Sequence, residues 1–156
     1  MTNKELRELD AWIAEHVIGM LFYWKVAGWT TDMSGFDWKM VLALPPEGGI
    51  GKHWKGCAGE TRKATDCEVA IAKHDGDFER HFSPYTTDPA AAMMVLEKCV
   101  ENSNMPVEID RKRDSKIGHW RLETGVMSKG LLAIAPHEHN TLPLAICLFA
   151  KKLFSK

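Results

Sequence analysis

The sequence predicts an α+β fold: three helices around an antiparallel sheet, layered in one domain. Apolar residues recur at helical spacing in stretches near the start, the middle and the end of the 156-residue chain. Those stretches open on residues that cap or begin helices, Thr2, Asp88 and Thr141. Between them lie runs rich in aromatic and branched residues, bounded by Gly, Pro, Asp and Ser. The order therefore reads helix, strands, helix, strands, helix, an α+β layout within a single domain over 1–156.

Thr2 or Asn3 caps the first helix, and Glu5 follows Thr2 at the capping-box distance. Leu6, Leu9, Ile13 and Val17 share one face, and Gly19 is the terminator. Leu21 to Leu44 reads as a hairpin of short strands broken by Gly28, "TTD" and Ser34-Gly35. Pro45 and Pro46 stop regular structure, and Gly48 to Lys55 continues as loop. In the polar stretch from Cys57 to His81, the patch "CEVAIA" reads as a strand bounded by the turn-like "HDGD". Asp88 then caps a helix with Pro89 at its first position and Ala92, Val95, Leu96 and Cys99 as its buried stripe. "VEIDRKR" and "KIGHWRLET" are antiparallel strands around a polar turn, and "GLLAIA" is a third. Thr141 and Pro143 open the last helix, whose apolar residues are Leu144, Ile146, Leu148, Phe149 and Leu153, with lysines at its negative end.

With 20 Lys and Arg against 21 Asp and Glu, no global field draws duplex nucleic acid or an anionic membrane, so an anion site has to be local. Glu5, Glu8, Asp10 and Glu15 interrupt the apolar positions of the N-terminus, which excludes a signal peptide. "LPLAICLFA" is too short to span a bilayer and runs into Lys151 and Lys152. The expectation is a cytoplasmic protein. Its four cysteines, Cys57, Cys67, Cys99 and Cys147, form no C-x-x-C pair. Cys99 and Cys147 read as core. His53, Cys57, Cys67 and His74 have ligand types that suit zinc, at a spacing no common finger uses, so neither metal nor cofactor is expected.

The blocks "MTNKELRELDAWIAEHVIGM", "YTTDPAAAMMVLEKC" and "LPLAICLFAKKL" resemble the signature blocks of the phage ABA-sandwich domain family. That resemblance implies a helix-sheet-helix sandwich and a phage origin, with expression in the cytoplasm of an infected bacterium. It implies no catalytic residue. Residues 21–82 depart from the family pattern as a long aromatic and glycine-rich insertion, and loops on a rigid frame are where function is carried.

Within that insertion, "GGIGKHWKG" has the composition of an anion cradle, with Lys52 and Lys55 supplying charge, His53 a hydrogen bond and Trp54 a stacking face. It is not a P-loop: Pro46 stands where the first glycine is needed, and His53 follows Lys52. The competing reading is a surface loop with solvated lysines. A second cationic cluster, Arg111, Lys112, Arg113, Lys116 and Arg121, surrounds the later strand turn, where arginine forks suit phosphate and charges on an edge strand equally suit keeping it from pairing with another chain. The candidate ligand-binding set is Lys52, His53, Trp54, Tyr85, Arg111 and Arg113, with Tyr85 as a second stacking ring. The expected function is non-catalytic capture of a small anionic, nucleotide-like ligand by a homo-oligomer. Alternatives are a phosphodiesterase using His119, His137 and His139, or a module that binds a host protein through tryptophan anchors.

Overall fold

The computed structural model describes residues 1–51, 60–103, 106–114, 117–124, 133–134 and 141–155. It is an α+β protein: among the described residues there are four helices, a mixed four-stranded sheet and a hairpin, with helices packed against each other. Two compact units divide the chain, the first from Met1–Ile18 with Ser83–Lys156, the second from Gly19–Phe82. The stretch 21–82, read as a departure from the resembled family's pattern, lies within the second unit.

In the first unit, α1 (Asn3–His16) begins with the expected reciprocal cap: Thr2 accepts from the Glu5 N–H, and the Glu5 carboxylate accepts from the Thr2 N–H at 2.5 Å. It buries Leu9, Ile13 and Ala14. α3 (Pro89–Ser103) starts where Asp88 accepts from the Ala90 N–H at 2.9 Å, and it buries Ala91, Ala92, Val95, Leu96 and Cys99. α4 (Leu142–Phe154) packs on both of them and is buried at Leu144, Ala145, Ile146, Cys147, Phe149 and Ala150. Apolar residues surround this helix because it lies at the centre of its unit. Each large side chain so buried contributes about 1.5–3 kcal/mol. β5 (Val107–Asp114) and β6 (Ile117–Thr124) form the expected antiparallel hairpin, and β7 (Ala133–Ile134), which falls inside "GLLAIA", pairs with β6. Leu122 of β6 is fully buried, and β6 contacts α4.

The second unit is built on β1 (Leu21–Trp29) and β2 (Phe36–Ala43), the expected hairpin, with a bulge between Val26 and Gly28. β3 (Thr61–Lys63) adds antiparallel to β1, and β4 (Glu79–Arg80) adds parallel to β2, giving the order β3-β1-β2-β4. This sheet is therefore mixed, where a purely antiparallel one was expected. "CEVAIA" is also corrected: it lies in helix α2 (Asp66–Asp75). A short apolar run does not distinguish strand from helix by itself, and the ends decide here. Thr65 and Glu68 form a second capping box, and Gly76 closes the helix at φ +70°.

Alternation along β1 sends Tyr23 to one face of the sheet and Phe22 and Trp24 to the other. Tyr23, Val41 and Ala43 form a small core against which Ile50 packs. Register places Arg62, Trp24 and Met40 side by side across three strands on the opposite face. Among the described residues no helix is long and apolar enough to cross a membrane.

Candidate functional site

Lys52, His53 and Trp54 lie outside the described residues, as does Lys55. The described start of their loop shows what its glycines do. Gly48, Gly49 and Gly51 have φ of +82°, +90° and +79°, a region that side chains with a Cβ rarely enter. The Gly49 N–H donates to the Pro46 carbonyl at 2.9 Å, and the Gly51 N–H donates to Thr61 Oγ1 at 3.0 Å. Those two donors, which an anion cradle would use, are taken by the chain itself. Ile50 between them anchors the turn on Tyr23, Val41 and Ala43.

Tyr85, expected as a stacking ring, is 3% exposed and belongs to the core of the first unit. A ring so enclosed has no open face for a base. Burial first, then the neighbouring Asp10 and Cys147, push its hydroxyl up to about 12. Next to it, the buried Asp10 carboxylate accepts from the Thr86 N–H at 2.8 Å and from the Thr86 hydroxyl at 3.2 Å, tying α1 to the segment that leads into α3.

Arg111 and Arg113 both lie on β5. The Arg111 side chain is exposed, and its guanidinium lies 5.4 Å from the ring centroid of Trp120, its cross-strand partner on β6. Arg113 pairs with Gly118 in the same ladder. Cation–π contact uses the face of a guanidinium and leaves its in-plane N–H groups for a bidentate acceptor such as phosphate. Trp120 is half-buried.

Of the zinc-type residues, Cys67 and His74 are exposed, His74 sits 2.8 Å from Asp75, and His53 and Cys57 are outside the described residues. No group of three or more His, Cys, Asp or Glu is placed to hold a metal among the described residues. His119 has its backbone paired with Lys112 on the hairpin, while His137 and His139 are outside the described residues.

Sequence reasoning missed an assembly in the second unit. The Arg62 guanidinium lies 5.0 Å from the Trp24 ring and 5.7 Å from the Trp38 ring, and 3.3 Å from the Glu68 carboxylate. Glu68 is held below the usual carboxylate range by the Thr65 backbone N–H, then by the nearby Trp24 indole, the Thr65 hydroxyl and Arg62. The signal for it was the capping box at Thr65, which places Glu68 in the first turn of α2.

At the tip of the β1–β2 hairpin, Asp32 accepts from the Thr30 hydroxyl at 2.7 Å, the Ser34 hydroxyl at 2.7 Å and the Ser34 N–H at 3.1 Å. The Ser34 hydroxyl foremost, with Thr30, lowers its carboxyl to about 2. Met33, at φ +60°, and Trp29 stand 70% and 59% exposed there.

No protein-family model, curated protein or solved structure matches the chain.

Proposed function

We propose that the chain is a non-catalytic phage protein that captures a small anionic ligand, a nucleotide second messenger of bacterial defence, and holds it as a homo-oligomer in the cytoplasm of the infected host. In this reading the first unit is the helix-sheet-helix sandwich of the phage ABA-sandwich family and the second is its enlarged insertion. The supporting observation is the exposed Arg111 guanidinium, 5.4 Å from the Trp120 ring centroid, with Arg113 two residues along the same strand. A pre-oriented guanidinium loses little freedom on binding phosphate, and an adjacent indole excludes water from one side of the contact.

The test is thermal melting against cyclic dinucleotides, cyclic trinucleotides and ADP-ribose derivatives, with each mixture then heat-denatured and analysed by mass spectrometry. A raised melting temperature with the ligand recovered intact is the expected result. The Arg111→Ala/Arg113→Ala variant should fold and bind more weakly by about 1.5–3 kcal/mol, roughly ten- to hundred-fold in Kd. Recovery of a product instead would make the protein a phosphodiesterase. A panel without any shift would transfer the reading to a host-protein module, for which exposed Trp29 and Met33 at the braced hairpin tip are the specific support.

A further inference from the structure

Between α2 and the sheet of the second unit lies a cleft of about 230 Å³. Its walls include Trp24 and Met40 on the sheet, Glu68, Ile71 and Asp75 on α2, and Asp77 just beyond the helix. The sequence builds it simply. Trp24 and Met40 are cross-strand partners, so their side chains stand together on one face. Glu68, Ile71 and Asp75 recur at three-and-four spacing and line one stripe of the helix. Ile71 remains 62% exposed, an aliphatic side chain left open at the cleft.

Size and chemistry narrow the occupant. The volume is below the roughly 300–1,000 Å³ of sites for drug-sized molecules, so it suits one side-chain-sized group. Among the described residues, every charged one lining it is a carboxylate, and the rest of that wall is indole, thioether and alkyl. An indole attracts cations through its ring quadrupole, and carboxylates accept charge-assisted hydrogen bonds, while an anion would be repelled. The chain itself supplies an example of such a contact: Trp24 and Glu68 already hold a guanidinium, that of Arg62, at 5.0 Å from the ring and 3.3 Å from the carboxylate. Arg62 does not line the cleft, so this is a neighbouring seat built from shared residues. Glu68 is partly neutralised by Arg62, and Asp75 is bonded to His74 at 2.8 Å. Asp77 makes no hydrogen bond or ion pair among the described residues.

We propose that this cleft binds a guanidinium or primary ammonium group, presented either by an arginine or lysine of a partner peptide or by a free polyamine. This goes beyond the anion-capture reading, because it concerns the other unit and a ligand of opposite charge.

Solution NMR of the full chain tests it through the Trp24 indole N–H signal, assigned with Trp24→Phe. The probes are N-acetyl-Gly-Arg-Gly-amide, its citrulline counterpart, which keeps the shape and lacks the charge, and spermidine. The expected result is a saturable shift with the arginine peptide or spermidine, none with the citrulline peptide, and an unmoved Trp29 signal. Asp75→Asn/Asp77→Asn should weaken binding at least about tenfold. Both carboxylates are exposed, and an unchanged far-UV spectrum checks that this variant keeps its fold. A shift with the peptide alone assigns a protein side chain as the source, and one with spermidine alone assigns a polyamine. No saturable shift with either, an equal response to citrulline, or undiminished affinity in the double variant overturns the proposal. The nucleotide panel reads a different ligand, so either result can fail without the other.

Discussion

Asp10 shows how differently one residue reads in sequence and in structure. In the sequence it is a charge among apolar positions, and helical periodicity alone leaves its side chain unassigned. The structure buries it at 5% exposure and joins it to Thr86, a residue 76 positions away. A buried carboxylate is tolerated only when hydrogen-bonded, and Thr86 supplies two donors to it. Asp10→Ala should therefore lower the unfolding free energy by about 1–3 kcal/mol, because the Thr86 donors lose their acceptor in a buried place. A fall in the urea midpoint at unchanged slope is the expected readout, and an unchanged midpoint would show that water replaces the carboxylate there. Tyr85 illustrates the same limit: read as a second stacking ring, it is buried beside Asp10 and Cys147, residues distant in sequence.

Among the elements, α2 is the one whose identity turned on local signals at its ends. "TDCE" at Thr65 to Glu68 repeats the pattern of "TNKE" at Thr2 to Glu5, and both are capping boxes. α1 was legible because Leu9 and Ile13 also lie on one buried face. In α2 only Ala72 is buried, so amphipathicity did not mark it. A helix with so little buried surface leans on its caps, and Thr65→Ala should lower stability by about 1 kcal/mol. Glu68→Ala acts on the same box, so in urea denaturation the double variant should lose less than the sum of the single ones. Strict additivity would mean that the two side chains act separately. The hairpins were easier to read. Turn residues such as "TTD" and Ser34-Gly35 mark where the chain reverses, and alternation on either side then sets the register.

On the scale of the molecule, the first unit is discontinuous in sequence, joining residues 1–18 to 83–156. α4 is its hub, packed against α1 and α3. Deleting residues 1–18 removes Leu9, Ile13 and Asp10 from that core. With about 1.5–3 kcal/mol from each large apolar side chain, against a total stability of about 5–15 kcal/mol, the deletion should abolish the dispersed NMR spectrum of the first unit. Retained dispersion at the Leu122 and Phe149 methyl and ring signals would show that α3, α4 and the hairpin suffice. What the sequence by itself determined was the local structure: caps at Thr2 and Asp88, the paired strands on either side of each turn, and the apolar stripes of α1, α3 and α4. These depend on residues within a few positions of one another. The tertiary structure alone decided that Asp10 and Tyr85 are core, that Gly49 and Gly51 direct their N–H groups inward, and that Arg62, Trp24 and Glu68 meet beside an acidic cleft. Those outcomes depend on which distant segment covers a side chain, and no periodicity along the chain encodes that.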